Sequence, residues 1–166
     1  MTARSRHQGS APARRSLRQS PNTDRSRVDG AATLTGRCLC SSVRYRCGAL
    51  RYPATWCHCE SCRRASGTAP VGWFTVALAS VEFHGDSLRV HRSSPGVERR
   101  FCSVCGTPLT YWSELRPTEI DFTLGSLDEP DRVTPVDHIW MADAPDWDRP
   151  TDGLPQHPGL RPTTLR

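Results

Sequence analysis

Lysine is missing from the 166 residues, and all 22 basic side chains are arginine. Alanine, glycine and proline are abundant, so this bias reads as a coding preference. It excludes treating the arginine count by itself as a functional signal. Long apolar runs are missing as well. None approaches the roughly 18 residues that a membrane-spanning helix needs, so no transmembrane helix is expected. The first residues are polar and arginine-rich and lack the apolar centre of a secretory signal. A cytoplasmic, reducing location is the expectation. It favours metal binding over disulfides for any cysteines the chain carries. No convincing internal repeat is found, so a solenoid is not expected.

Charge is unevenly placed. Residues 1–30 hold seven arginines and two aspartates, a net of +5, whereas residues 31–166 hold fifteen arginines and fifteen acids. The first segment is rich in Ser, Arg, Gln and Pro and cannot bury enough apolar surface to offset the entropy of ordering. Residues 1–30 are therefore expected to be a disordered tail, either passive or a nucleic-acid-contacting arm. Residues 31–158 are expected to form one domain, and residues 159–166 a short C-terminal tail.

Within the domain the apolar pattern is mostly that of short strands. Val43, Tyr45 and Cys47 alternate with Ser42, Arg44 and Arg46, the period of a half-buried strand. Val71–Val76, Val97–Phe101, Leu109–Trp112 and Ile120–Leu124 have strand composition. Val81–Phe83 and Leu88–Val90 flank His84-Gly85-Asp86-Ser87, which predicts a hairpin. Only Glu60–Ala65 reads as a helical turn. From Asp128 onward the chain is dense in Pro, Asp and Trp. It is expected to wrap the domain as ordered coil, pinned by Ile139, Trp140 and Trp147.

Seven of the eight cysteines fall into three clusters: Cys38-Leu39-Cys40, Cys57-His58-Cys59-Glu60-Ser61-Cys62 and Cys102-Ser103-Val104-Cys105-Gly106. Thiols one or two residues apart can converge on one tetrahedral ion without straining the backbone. Seven such thiols divide into four plus three. Cys102 and Cys105 bracket a knuckle turn, with Gly106 free to take positive φ. Cys38 and Cys40 are its natural partners, so these four would hold a structural zinc. Cys57, Cys59 and Cys62 remain as a triplet. Three ligands with an exchangeable fourth is the usual arrangement of a catalytic zinc. The alternatives are a second structural site completed by Cys47 or a histidine, or a disulfide framework. Cys47 lies in phase with Val43 and Tyr45 and reads as a core residue. His58 sits between two ligands and would point away from the metal. His84, His91, His138 and His157 are isolated, and each reads as structural or exposed.

A zinc held by three thiolates is a weak Lewis acid and a poor source of hydroxide. It is better suited to holding a substrate thiol as thiolate, because a coordinating thiol loses its proton. Arg63 and Arg64 follow the triplet directly. Either could offset the anionic centre or grip a substrate carboxylate; the alternative is solvated surface charge.

The stretches Gly36–Tyr45, Cys57–Gly67 and Arg100–Leu109 together resemble the glutathione-dependent formaldehyde-activating enzyme family, which includes centromere protein V. Gly125-Ser126-Leu127-Asp128, Pro135 with His138-Ile139-Trp140, and Asp152-Gly153-Leu154-Pro155 are similar to the family's C-terminal pattern. The resemblance runs from about Leu34 to Pro155. It implies a mainly β fold, a small zinc-stabilised tent of packed antiparallel sheets with little helix. It implies two zinc ions per chain, one on Cys38, Cys40, Cys102 and Cys105 and a catalytic-type one on Cys57, Cys59 and Cys62. It implies a carbon–sulfur lyase activity that joins formaldehyde to the thiol of glutathione, giving S-(hydroxymethyl)glutathione.

The expectation is therefore a cytoplasmic zinc enzyme whose partners are a small thiol, glutathione or another, and formaldehyde or a related small aldehyde. Glu60, His58 and His138 are the candidate proton donors. The competing expectation is a non-catalytic zinc module whose basic arm contacts nucleic acid. Elemental analysis of purified protein should find two zinc ions per chain, one of them removed readily by a mild chelator. A single zinc, or none, would contradict the four-plus-three division.

Overall fold

A computed structural model describes residues 33–162. The tail expected at residues 1–30 lies outside the described residues, as do the last four residues of the segment expected at 159–166. The described chain is mainly β, as its sequence pattern predicts. In order it forms β1 (Leu34–Arg37), β2 (Arg44–Cys47), β3 (Thr55–Cys57), α1 (Glu60–Ser66), β4 (Val71–Ala77), β5 (Glu82–His84) and β6 (Leu88–Ser94). Then come β7 (Val97–Cys102), β8 (Pro108–Ser113), β9 (Glu119–Thr123) and β10 (His138–Ile139). Single 3-10 turns interrupt the connections at Leu78–Ser80, Leu124–Ser126, Pro130–Arg132 and Met141–Asp143.

The strands make two sheets. The smaller has the order β1-β2-β5, and the larger has the order β10-β3-β4-β9-β8-β7-β6. Neighbours are antiparallel except β10, which runs parallel to β3. Strict alternation buries Leu34 and Gly36 of β1 and Tyr45 and Cys47 of β2. Across the interior Tyr45 meets Phe122 of β9 at 4.3 Å between ring centroids, and Phe74 and Phe83 pack on the same ring at 5.6 and 5.8 Å. Fully burying one such side chain is worth about 1.5–3 kcal/mol. Gly36 lies opposite Tyr45 in the β1–β2 register. A Cβ there would sit 2.3 Å from the Tyr45 ring and 2.4 Å from the Ser126 carbonyl oxygen, so only glycine allows this approach. Cys47 is a core residue as expected, and burial raises its thiol pKa to about 11.

β9 is buried along its whole length. Ile120 and Phe122 join the core, and the alternating Glu119 and Asp121 fall on the other face. Both acids are partnered. Glu119 accepts from Tyr52 at 2.6 Å and pairs with Arg51 at 3.2 Å, while Asp121 accepts from Thr75 and from Arg116, each at 2.6 Å. Buried carboxylates of this kind are tolerated because each oxygen has a donor.

Two expectations are corrected. The segment 84–87 is not the tip of a hairpin. β5 pairs with β2 in the small sheet, whereas β6 pairs with β7 in the large one. Turn residues encode a reversal of the chain but not the strand that receives it. At Gly85, with φ 96°, a Cβ would stand 2.1 Å from the Ser42 carbonyl oxygen, so this loop is pressed against the start of β2. The true hairpin joins β6 to β7 through Pro95 and Gly96, where φ is 68°.

The second correction concerns the C-terminal stretch. It contains β10 and two 3-10 turns, and its large tryptophans do not pin it. Trp147 is 74% exposed and Trp140 37% exposed. Ile139 does pack inward. The stronger anchors are polar: Asp137 and His138 are buried, and the backbone of this strand takes hydrogen bonds from Trp56 and His58 on β3 and its edge.

Asp137 accepts hydrogen bonds from Thr55 at 2.6 Å and from Arg161 at 2.8 Å, with His157 at 3.4 Å. Burial opposes its ionisation, but the hydrogen bonds from Arg161 and Thr55 outweigh it and hold the carboxyl below its ordinary pKa. A depressed folded-state pKa stabilises the fold above the unfolded value and loses that contribution as pH falls through the folded value. Asp137→Asn should cost about 1–3 kcal/mol at pH 7. The difference should shrink below about pH 4, where the unfolded carboxylate protonates. Urea midpoints of both proteins at neutral and acid pH measure this, and a pH-independent gap would contradict it.

Candidate metal centres

Two loops carry the first group of thiols, and each is closed by a cysteine N–H that reaches the carbonyl five residues further on. In the loop after β1, Cys38 N–H donates to the Val43 carbonyl at 3.0 Å, and Ser41 N–H donates back to the Cys38 carbonyl at 3.0 Å. In the loop after β7, Cys102 N–H donates to Thr107 at 3.0 Å, and Gly106 N–H donates to Cys102 at 2.8 Å. The left-handed position is filled by Ser41 (φ 63°) in one and Gly106 (φ 76°) in the other. Leu39 N–H donates to Thr107 Oγ1 at 3.1 Å and joins the two knuckles directly.

This places Cys38, Cys40, Cys102 and Cys105 together, with their sulfurs all within 4.8 Å of one another. Cys38 and Cys40 stand 3.6 Å apart, and Cys40 and Cys102 3.8 Å apart. Four sulfurs at 2.3 Å from a tetrahedral ion are separated by about 3.8 Å. All eight cysteines are free thiols, so the fold does not build a disulfide framework. The donors and spacing suit a thiolate-binding ion such as zinc. Hydrogen bonds with Thr107 lower the Cys105 thiol pKa to about 5, and those with Ser42 lower that of Cys40. Burial raises Cys102 to about 11.

The second group forms where β3 runs into α1. Cys57 ends the strand, Cys59 caps the helix, and Cys62 lies in its first turn. The Cys59 sulfur accepts from Cys62 N–H at 3.3 Å, the place a Ser or Asp side chain takes in an ordinary cap. All three sulfurs lie within 4.8 Å of one another. Hydrogen bonds from Cys57 and Cys62 hold the Cys59 pKa down to about 2, and the same contacts with Cys59 and Cys62 push Cys57 well above the ordinary thiol range. Neither Cys47 nor a histidine joins the triplet, which remains three among the described residues. Val71 and Trp73 of β4, Tyr111 of β8 and Ile139 of β10 pack against it.

His58 points away from the triplet, as the extended geometry predicts. Its Nδ1 meets Asp148 at 2.7 Å, and its Nε2 meets His138 Nδ1 at 2.9 Å. His138 Nε2 meets Asp152 at 3.0 and 3.1 Å. His138 is therefore not isolated but the middle of a buried chain. Each outer ring nitrogen meets a carboxylate, and the two inner nitrogens meet each other. All four ring nitrogens are committed, so neither ring is available as a ligand.

Arg64 is exposed and pairs with Glu60 at 2.8 Å, an ordinary surface pair. Arg63 is half-buried, and its Nε is buried without a partner. Arg99 of β7 was not signalled by the sequence. It lies opposite Tyr111 in the β7–β8 register, stacks over that ring at 5.0 Å, and brings Nη2 to 4.0 Å from the Cys62 sulfur. Only the pairing of β7 with β8 reveals this.

Residues 33–143 match the family described as glutathione-dependent formaldehyde-activating enzyme. The chain belongs to that family. The match takes in all seven clustered cysteines. An uncharacterized lyase of Schizosaccharomyces pombe is 29% identical over 76 residues, 46% of this chain and 55% of that protein. The chain thus spans about half the length of that relative. A crystal structure of a Rhodobacter sphaeroides protein aligns at 22% identity over 57% of this chain and 87% of its own, with a TM-score of 0.49. That likeness is too distant to inform fold or function.

Cys40 is exposed, so replacing it with serine should be nearly neutral unless its sulfur binds an ion. Cys40→Ser should remove one metal ion per chain and destabilise by well over the roughly 0.5 kcal/mol of an ordinary surface change. Metal content and thermal unfolding read this together. A variant that kept its metal and its melting temperature would refute the four-thiol site.

Proposed function

We propose that this protein is a zinc-dependent enzyme of the carbon–sulfur lyase type. It adds a small thiol, glutathione or a similar low-molecular-weight thiol, to formaldehyde or a related small aldehyde in a cytoplasmic setting. The observation that carries this reading is the inequality of the two thiol groups, four in one and three in the other. Family membership and the lyase name of the yeast relative support the same reaction class.

In this reading Cys38, Cys40, Cys102 and Cys105 hold a structural zinc, and Cys57, Cys59 and Cys62 hold the second. Bound there, zinc supplies one chemical service, keeping a substrate thiol in its thiolate form. The chain's own residues do the rest. Val71, Trp73, Tyr111 and Ile139 wall one side of the triplet with apolar surface and exclude water there. Arg99 sets positive charge beside the Cys62 sulfur. The substrate sulfur forms its bond to the aldehyde carbon, the carbonyl electron pair moves to oxygen, and that oxygen takes a proton from solvent. His58 and His138 are not the donors, because their nitrogens are committed to each other and to Asp148 and Asp152. Glu60 is occupied by Arg64. Thiols add to formaldehyde unaided, so orientation supplies most of the advantage. The competing reading, a nucleic-acid-binding module, depends on residues 1–30 and takes no support from the described residues.

The test follows adduct formation from formaldehyde and a panel of thiols with metal-replete protein. Wild type should exceed the uncatalysed rate, and Cys59→Ser should fall to it. Equal rates for the two proteins would remove the enzymatic reading.

A further inference from the structure

We infer that Arg99 forms an anion-recognising edge of the triplet site, so that the thiol it accepts carries a carboxylate. The inference rests on the thiol-binding reading proposed above and adds the residue that selects among thiols.

Arg99 has no acidic partner among the described residues, whereas Arg51, Arg100, Arg116 and Arg161 are each paired with a carboxylate. Its polar contacts are long: Ser93 Oγ at 3.3 Å, Ser61 Oγ at 3.5 Å and the Cys62 sulfur at 4.0 Å. The Tyr111 ring beneath the guanidinium fixes its plane without using its hydrogen-bonding edge. The result is a planar fork, held still beside the triplet, with donors to spare.

A second observation comes from another element. Trp73 is nine-tenths buried in the cluster containing Cys57 and Cys62, and its indole N–H lacks an acceptor. Buried donors without partners are rare in folded proteins. The unpaired guanidinium of Arg99 and this indole N–H both belong to the surroundings of the triplet, and each can take an oxygen. A carboxylate supplies two, and it suits a guanidinium in bidentate fashion. An uncharged thiol of the same length offers no such match.

The test uses full-length protein loaded with cobalt(II), whose thiolate charge-transfer absorption reports a thiol entering the coordination sphere without any turnover. Two thiols of matched size are titrated, 3-mercaptopropionate and 2-mercaptoethanol. Wild type should bind the carboxylate thiol about 10- to 100-fold more tightly, the range of charge-assisted hydrogen bonds. Arg99→Gln should abolish that preference, Arg99→Lys should restore part of it, and Arg64→Gln should leave both affinities as in wild type. Equal affinity of wild type for the two thiols would overturn the inference while leaving thiol binding intact, and that comparison needs no variant to fold. Equal losses for both thiols in Arg99→Gln would also overturn it, marking Arg99 as structural. Failure of any thiol to perturb the cobalt spectrum would bring down the thiol-binding reading and this inference together.

Discussion

Two knuckles, one after β1 and one after β7, are each closed by backbone hydrogen bonds on a cysteine and bring four sulfurs to tetrahedral spacing. The rest of the architecture depends on that meeting. β1 belongs to the small sheet and β7 to the large one, so the point where the knuckles join is also a point where the sheets are fixed to each other. The aromatic contacts of Tyr45, Phe74 and Phe83 with Phe122 fill the space this leaves. Apolar burial alone is non-directional and would let two small twisted sheets slide. Directional ligands at one corner remove that freedom.

The triplet is built on a different principle. Its thiols come from one short stretch where a strand becomes a helix, and Cys59 does double duty as helix cap and potential ligand. Local sequence therefore assembles the sulfurs, but their surroundings are entirely non-local. Val71, Tyr111, Ile139 and Arg99 arrive from four other strands. A site of this kind can keep its metal chemistry while its walls change, because the two are encoded in different parts of the chain.

This division explains what could be read in the sequence. Ligand spacing is a local property, and both groups were legible from it. Strand patterning is local as well: β2 stands where its period-two alternation puts it, and β4, β7, β8 and β9 stand where strand composition puts them. Sheet membership is not local. The Gly85 turn is a faithful reversal signal, yet it hands the chain from one sheet to the other. Arg99 resembles its neighbour Arg100 in sequence, but strand pairing sets one beside the triplet and the other beside Glu98. Trp140 and Trp147 misled because large apolar area suggests burial, whereas this segment is fastened by Asp137 and His138 through charge-assisted hydrogen bonds.

The hydrogen-bonded run from Asp148 through the buried His58 and His138 to Asp152 has a temporal consequence. A nascent polypeptide that has emerged only as far as β9 already displays all seven clustered cysteines. It does not yet carry the partners of His58. They arrive some 80 to 90 residues after His58, when the segment following β10 folds across the rear of the loop that carries Cys57 and Cys59. The knuckle pair can close during synthesis, and the triplet loop gains its final rigidity only afterwards. The two thiol groups thus reach their final setting in an order fixed by the path of the chain.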